Sequence, residues 1–258
     1  MNINKPDFKL FKRKYISGKK QLLYLSFAAD VHTPVSALLK LKNEKYTFLF
    51  ESVEKGGQRG RYSVIGLKPD LIWECKNNIC NLKDLNLSKK KKKINKKPLQ
   101  SLKELMDSNK LIFSQDIPPI SSGLFGYMGY EMIQYFENIK LKKENNLNLP
   151  DSIFIRPSIT LVFDNVNDKL LITRLICKSS LNAEESFQRA KKEIYKIISL
   201  INKPMPKENF SSVHQNKKIN IFKNVKSNTN FSEFKKMVKK AKEYIFEGEV
   251  FQVVISRV

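Results

Sequence analysis

The chain has 258 residues, of which 41% are hydrophobic, 10% aromatic and 28% charged, with a formal net charge of +23. That aromatic content excludes global disorder, and no stretch approaches the ~18 uninterrupted apolar residues a bilayer span requires. Three cysteines and two histidines, without a CxxC pair, argue against a disulfide framework and against a zinc site, and fit reduced thiols in a cytoplasmic protein. Residues 1–20 scatter charges among their apolar positions, which argues against a secretory leader.

Phe8, Phe11 and Tyr15 stand three and four apart, predicting an amphipathic helix within residues 7–19 that ends near Gly18. Leu22 to Ala28 reads as a strand. Thr33-Pro34 is a capping residue followed by a proline at the first helical position, so a short helix runs from there to about Asn43. Tyr46 to Val53 is an aromatic, β-branched strand. After a turn at Gly56-Gly57, further strands are expected over Arg61–Gly66, Leu71–Cys75 and Ile79–Leu82, with Asn77-Asn78 as a hairpin turn. Pro98 to Asn109 is a helix with Leu102, Leu105 and Met106 on one face.

Ser122 to Tyr130 holds three of the chain's nine glycines, which suits close strand packing with Phe125, Tyr127 and Tyr130 filling the space. A helix is expected near Glu131–Glu137. Ile153–Val166 and Leu170–Cys177 form a long hairpin. Asn182 and Glu185 make a capping box for a helix carrying Phe187, Ala190, Ile194, Ile197 and Ile201 on one face. Residues 206–229 read as a linker. Asn230 and Glu233 open a last helix, with Phe234, Met237, Val238, Ala241, Tyr244 and Ile245 on its apolar face and Gly248 at its end. Phe251–Ser256 is expected to be a strand. The class is therefore α+β: a mixed or antiparallel sheet domain with flanking helices over residues 1–205, a linker over 206–229, and the start of a second α+β unit over 230–258. An apolar strand with nothing after it suggests a longer parent chain.

The charge invites a nucleic-acid reading, but only seven of the 48 basic residues are Arg, the residue favoured for bidentate phosphate and base contacts. The dense run Lys89–Lys93 with Lys96 and Lys97 has no aromatic to stack on a base, and is expected to be a solvated, mobile loop. Neither nucleic acid nor membrane is expected as a partner.

Catalytic motifs are missing. His32 sits beside a helix cap and His214 in the linker, so both are read as capping or solvent-facing. There is no phosphate loop, Rossmann fingerprint or HExxH. One local feature suits a small ligand: Glu51 and Ser52 end the apolar strand Phe48-Leu49-Phe50, where a carboxylate, a hydroxyl and aromatic walls match an amino acid.

Several segments together resemble anthranilate synthase component I, a chorismate-utilising enzyme family. They are Thr33-Pro34-Val35-Ser36-Ala37, Leu49-Phe50-Glu51-Ser52-Val53, Gly60-Arg61-Tyr62-Ser63-Val64-Ile65-Gly66, Gly123 to Glu131, and Ala241 to Ile245 with Gly248 to Val254. They occur in that family's order from about residue 20 onwards. The resemblance implies conversion of chorismate to anthranilate and pyruvate in tryptophan biosynthesis, with ammonia from a glutamine amidotransferase subunit and Mg2+ held by glutamates. The family's catalytic and metal-binding residues fall in its C-terminal domain, so none is assigned in this chain, which is expected to be inactive alone. The feedback site carries over to Ser52 and Glu51, where Phe50 replaces the second leucine of the family's Leu-Leu-Glu-Ser pattern, as contacts to L-tryptophan. Aminodeoxychorismate synthase component I of the folate pathway and a free-standing amino-acid-binding module are the alternatives.

Overall fold

The computed structural model describes residues 6–53, 59–86, 90–111, 113, 117–141, 148–206 and 226–256. Backbone contacts divide the chain into two compact units, Met1–Pro206 and Lys207–Val258.

The first unit is built on one antiparallel sheet of eight strands: β1 (Gln21–Ala28), β2 (Phe48–Val53), β3 (Arg59–Lys76), β4 (Ile79–Asp84), β5 (Lys92–Ile94), β6 (Phe125–Met128), β7 (Ser152–Asp164) and β8 (Lys169–Ile176). Their order is β1-β8-β7-β3-β4-β5, with β2 on β3 and β6 on β7. The helices are α1 (Phe8–Ile16), α2 (Pro34–Leu41), α3 (Pro98–Ser108) and α4 (Ala183–Ile201). Local chemistry sets their ends. Asp7 accepts from the Leu10 amide at 2.7 Å to start α1, Thr33 and Ser36 cap α2 reciprocally, and Asn182 and Glu185 do the same for α4. Gly18, at φ +72°, ends the turn after α1. Asn77 and Asn78, at φ 49° and 64°, make the tight turn between β3 and β4.

The pair β3/β7 is the spine. The two strands expected over Arg61–Gly66 and Leu71–Cys75 are one 18-residue strand that runs through Pro69. A proline in a central strand loses a ladder bond, and the register of the spine shifts here, between Pro69 and Leu71. Pro69 faces Pro157 across the spine. At that level β2 has already ended at Gly66, β4 begins only at Leu71, β6 reaches only Ile155 and β8 starts at Ile159. The sheet therefore comprises two half-sheets hinged on a proline pair, with Lys68 at φ 48° beside it.

Each half has its own core. Under α1, α2 and α4 lie Phe11, Tyr15, Leu23, Ile65, Ile159, Ile172, Ile194 and Ile197. Under α3 lie Leu71, Trp73, Cys75, Cys80, Leu102, Leu105 and Met132. Between them the Arg156 guanidinium bonds both carboxylate oxygens of Asp70, at 2.7 and 3.0 Å, with both side chains buried.

Several expectations are corrected. Met106 is exposed, because α3 buries Pro98, Ser101, Leu102 and Leu105 instead; Ser101 takes the inward place by accepting from the Trp73 indole at 2.8 Å. Tyr127 and Tyr130 are exposed, since β6 is an edge strand, and Met132 fills the core beneath it. The expected helix near residue 131 is a 3-10 turn over Tyr130–Tyr135. In the lysine run, residues 92–94 form β5 against Leu82, Asn81 and Cys80 rather than a free loop; Ile94 is the inward residue, and the lysine side chains stay exposed. His32 is buried rather than solvent-facing, edge-on to Phe27, with its Nδ1 unpartnered. His214 and most of the expected linker lie outside the described residues.

The second unit contains α5 (Phe231–Phe246), capped reciprocally by Asn230 and Glu233, with Gly248 at φ +78° after it. None of the residues of α5 is buried. The expected strand over Phe251–Ser256 is irregular backbone, because a strand needs a ladder partner and the described residues supply none.

Candidate functional site

Ser52 lies at the open end of β2, and period-two alternation decides its neighbours. Leu49 turns towards the core beneath α1, α2 and α4. Phe48 and Phe50 turn to the other face, where their rings meet Phe125 at centroid distances of 5.2 and 6.1 Å. Phe48 reaches that position by lying across Gly66, where any Cβ would come within 2.2 Å of its ring. Ser52 follows on the Phe48/Phe50 face and Glu51 on the Leu49 face. Both side chains are exposed. The carboxylate and the hydroxyl are thus neighbours at one exposed strand end.

The backbone around Ser52 is special. The register Glu51↔Ser63 gives way to Val53↔Arg59, so β3 carries two extra residues in a bulge opposite Ser52. Gly60 approaches so closely that a Cβ there would stand 2.1 Å from the Ser52 hydroxyl oxygen. Gly60 is held in turn by Asn165, whose side-chain amide donates to its carbonyl at 2.8 Å, while the Asn165 backbone N–H donates to Arg61 O at 2.8 Å. Beside them the Arg61 guanidinium is 3.3 Å from Asp164 and 4.9 Å from the Tyr62 ring centre. Burial alone would raise the Asp164 pKa, but hydrogen bonds from Asn167, Arg61 and the Val166 and Asn167 amides together hold it below its ordinary value.

This arrangement offers a hydroxyl, an exposed aromatic ring on Phe50 and a guanidinium at one strand end, which is the chemistry of reversible recognition rather than bond-breaking. Nothing local in the sequence marks Asn165 and Gly60 as supports. Asn165 reads as an ordinary turn residue, and only the fold brings it beside β2.

Elsewhere the reactive groups are muted. Cys75 and Cys80 face each other across the β3/β4 ladder, free and buried. Burial pushes the Cys75 thiol up to about 12 and raises Cys80 as well, so neither is a thiolate nucleophile at neutral pH. Among the described residues no group of three or more His, Cys, Asp or Glu side chains could hold a metal ion. No helix among them is long and apolar enough to cross a membrane.

Comparison with known proteins agrees with the motif order. The chain is 34% identical over 256 residues to anthranilate synthase component 1 of Cereibacter sphaeroides, covering 97% of this chain and 50% of that protein. It is 32% identical to the protein of the same name from Acetivibrio thermocellus, covering 89% and 46% respectively. The crystal structure of anthranilate synthase component I from Streptococcus pneumoniae TIGR4 superposes with a TM-score of 0.51 at 22% identity, over 86% of this chain and 45% of that one, a likeness of fold. The chain thus spans about half the length of the curated relatives it matches. The family model described as chorismate binding enzyme matches residues 47–258, and the chain belongs to that family.

Proposed function

We propose that the chain is the effector-sensing portion of an anthranilate synthase component, with Ser52 as the side chain that contacts L-tryptophan. The whole enzyme would convert chorismate, with ammonia from a glutamine amidotransferase subunit, to anthranilate and pyruvate in the cytoplasm. Magnesium and its glutamate ligands would be supplied by polypeptide outside these 258 residues. The observation that carries the reading is the β3 bulge opposite Ser52, where Gly60, held by Asn165, packs against a serine that is open to solvent beside an aromatic floor. It is supported by the names of the relatives and by the family match. Glu51, the neighbouring exposed residue, would be the second contact to the ligand.

Such a sensor works by binding its effector more tightly in one arrangement of the enzyme than in another. Weak binding by this chain is expected, because the rest of the site would come from the missing polypeptide. The reading is tested by incubating the purified chain with chorismate, ammonium and magnesium while following anthranilate fluorescence, and by calorimetry with L-tryptophan. No turnover is expected, with weak binding that Ser52→Ala abolishes. Sustained turnover, or tight binding indifferent to Ser52→Ala, would overturn it.

A further inference from the structure

Far from Ser52 the first unit holds a cleft. Eight residues of β7 separate Arg156 from Asp164, roughly 26 Å at the rise of a strand. Where the proline break leaves the spine without a neighbour, β8 ends and the chain turns back into α4. A cleft of about 540 Å³ opens there, lined among others by Asp70, Asp84, Arg156, Arg174, Lys178 and Arg189. Its size falls in the range of small-molecule sites, ~300–1,000 Å³.

The charges in this cleft do not balance. Arg156 spends its Nε and Nη2 donors on Asp70 and one Nη1 donor on Asn109. Lys20, immediately behind, shares the same Asn109 oxygen at 3.1 Å. Arg174 and Arg189 both lean on the single carboxylate of Glu193. Lys178 stands over the Tyr15 ring at 4.5 Å. Among the described residues, four cations line the cleft with Asp70 and Asp84, Lys20 and Glu193 stand just behind them, and Arg156 is buried in the cluster. Burial first and Arg156 second push the Lys20 pKa down, in keeping with a partly desolvated positive cluster. Holding such a cluster with too few anions is costly, and an incoming anion would relieve it. Guanidiniums are the groups that grip planar carboxylates and phosphates by paired hydrogen bonds. Leu175 and Leu181 add an apolar wall.

We propose that this cleft binds a small organic anion, its phosphate or carboxylate headgroup held by Arg156, Arg174 and Arg189 and its body against Leu175 and Leu181. The site is independent of the one at Ser52, and either can fail without the other.

Cys177 lines the same cleft and is half-buried, whereas Cys75 and Cys80 are fully buried and serve as internal controls. The test is iodoacetamide labelling of the full chain at mildly alkaline pH, read by mass spectrometry, with inorganic phosphate or malonate as the probe. Saturable slowing of Cys177 labelling is expected with either probe and not with chloride at matched ionic strength. A lower midpoint for phosphate assigns a phosphate headgroup, and a lower one for malonate a carboxylate. Arg189→Glu, on the surface and tolerable to the fold, should raise the midpoint about tenfold by reversing one charge at the rim. Labelling that no probe slows, or slowing identical in Arg189→Glu and in chloride, would overturn the proposal.

Discussion

Helices α4 and α5 begin with the same device, an asparagine cap answered by a glutamate three residues on, and both carry an apolar stripe at helical spacing. They end in opposite situations. Seven residues of α4 are buried against the sheet and α1, while none of α5 is. Capping and periodicity specify that a helix forms and which face wants cover, but only tertiary structure decides whether the face is covered. Most helical stability in proteins comes from that cover.

The sharpest way to break the contrast is one substitution made twice. Ile197 in α4 is fully buried and Ile245 in α5 is 46% exposed. Ile197→Ala should cost about 4 kcal/mol, within the ~2–5 seen for core truncations. Ile245→Ala should stay within ~0.5 kcal/mol, as surface changes do. Denaturant melts of the two variants would show either a large difference in midpoint or none.

The contrast extends to charge. Asp70–Arg156 is buried, whereas Lys96–Glu104 lies in solvent. Asp70→Asn leaves a buried guanidinium uncompensated and should cost about 3 kcal/mol; Glu104→Gln should be near neutral. Equal effects in thermal unfolding would show that the joint between the half-sheets carries no special weight.

The caps give a smaller effect. Asn182→Ala should cost about 1 kcal/mol of global stability. Asn230→Ala should fray α5 alone, seen as faster amide exchange confined to residues 231–235.

The smallest prediction concerns His32. Burial, then Lys40, holds its pKa below 6.5 in the fold despite the bond to Asn202. The unfolded chain takes up a proton near pH 6.5 while the folded chain resists, so this contribution to stability is intact above that pH. It declines as pH falls from about 6.5 towards the lower folded pKa. His32→Gln should flatten that part of the profile of melting temperature against pH.

These results show which parts of the chain are legible one residue at a time. The caps of α2, α4 and α5, the Asn77-Asn78 turn and the buried stripe of α4 are local chemistry, and the structure agrees with them. The continuity of β3 is not local: Pro69 argues for a break unless one knows that Pro157 stands opposite and that no flanking strand reaches either. Met106 and Ser101 exchange roles because of Trp73, 28 residues earlier in the chain. At the candidate site, the position of Glu51 and Ser52 at the end of an apolar strand was legible. The clamp by Gly60 and Asn165 was not, because it joins the β2–β3 end to the β7–β8 turn, more than 100 residues apart.

The Ser52 end is where L-tryptophan would bind, and amide NMR with L-tryptophan added to the chain reads it residue by residue. Saturable shifts centred on Ser52, Gly60 and Asn165, lost in Ser52→Ala, are the predicted result. Shifts confined to other parts of the sheet, or unchanged in that variant, would contradict it.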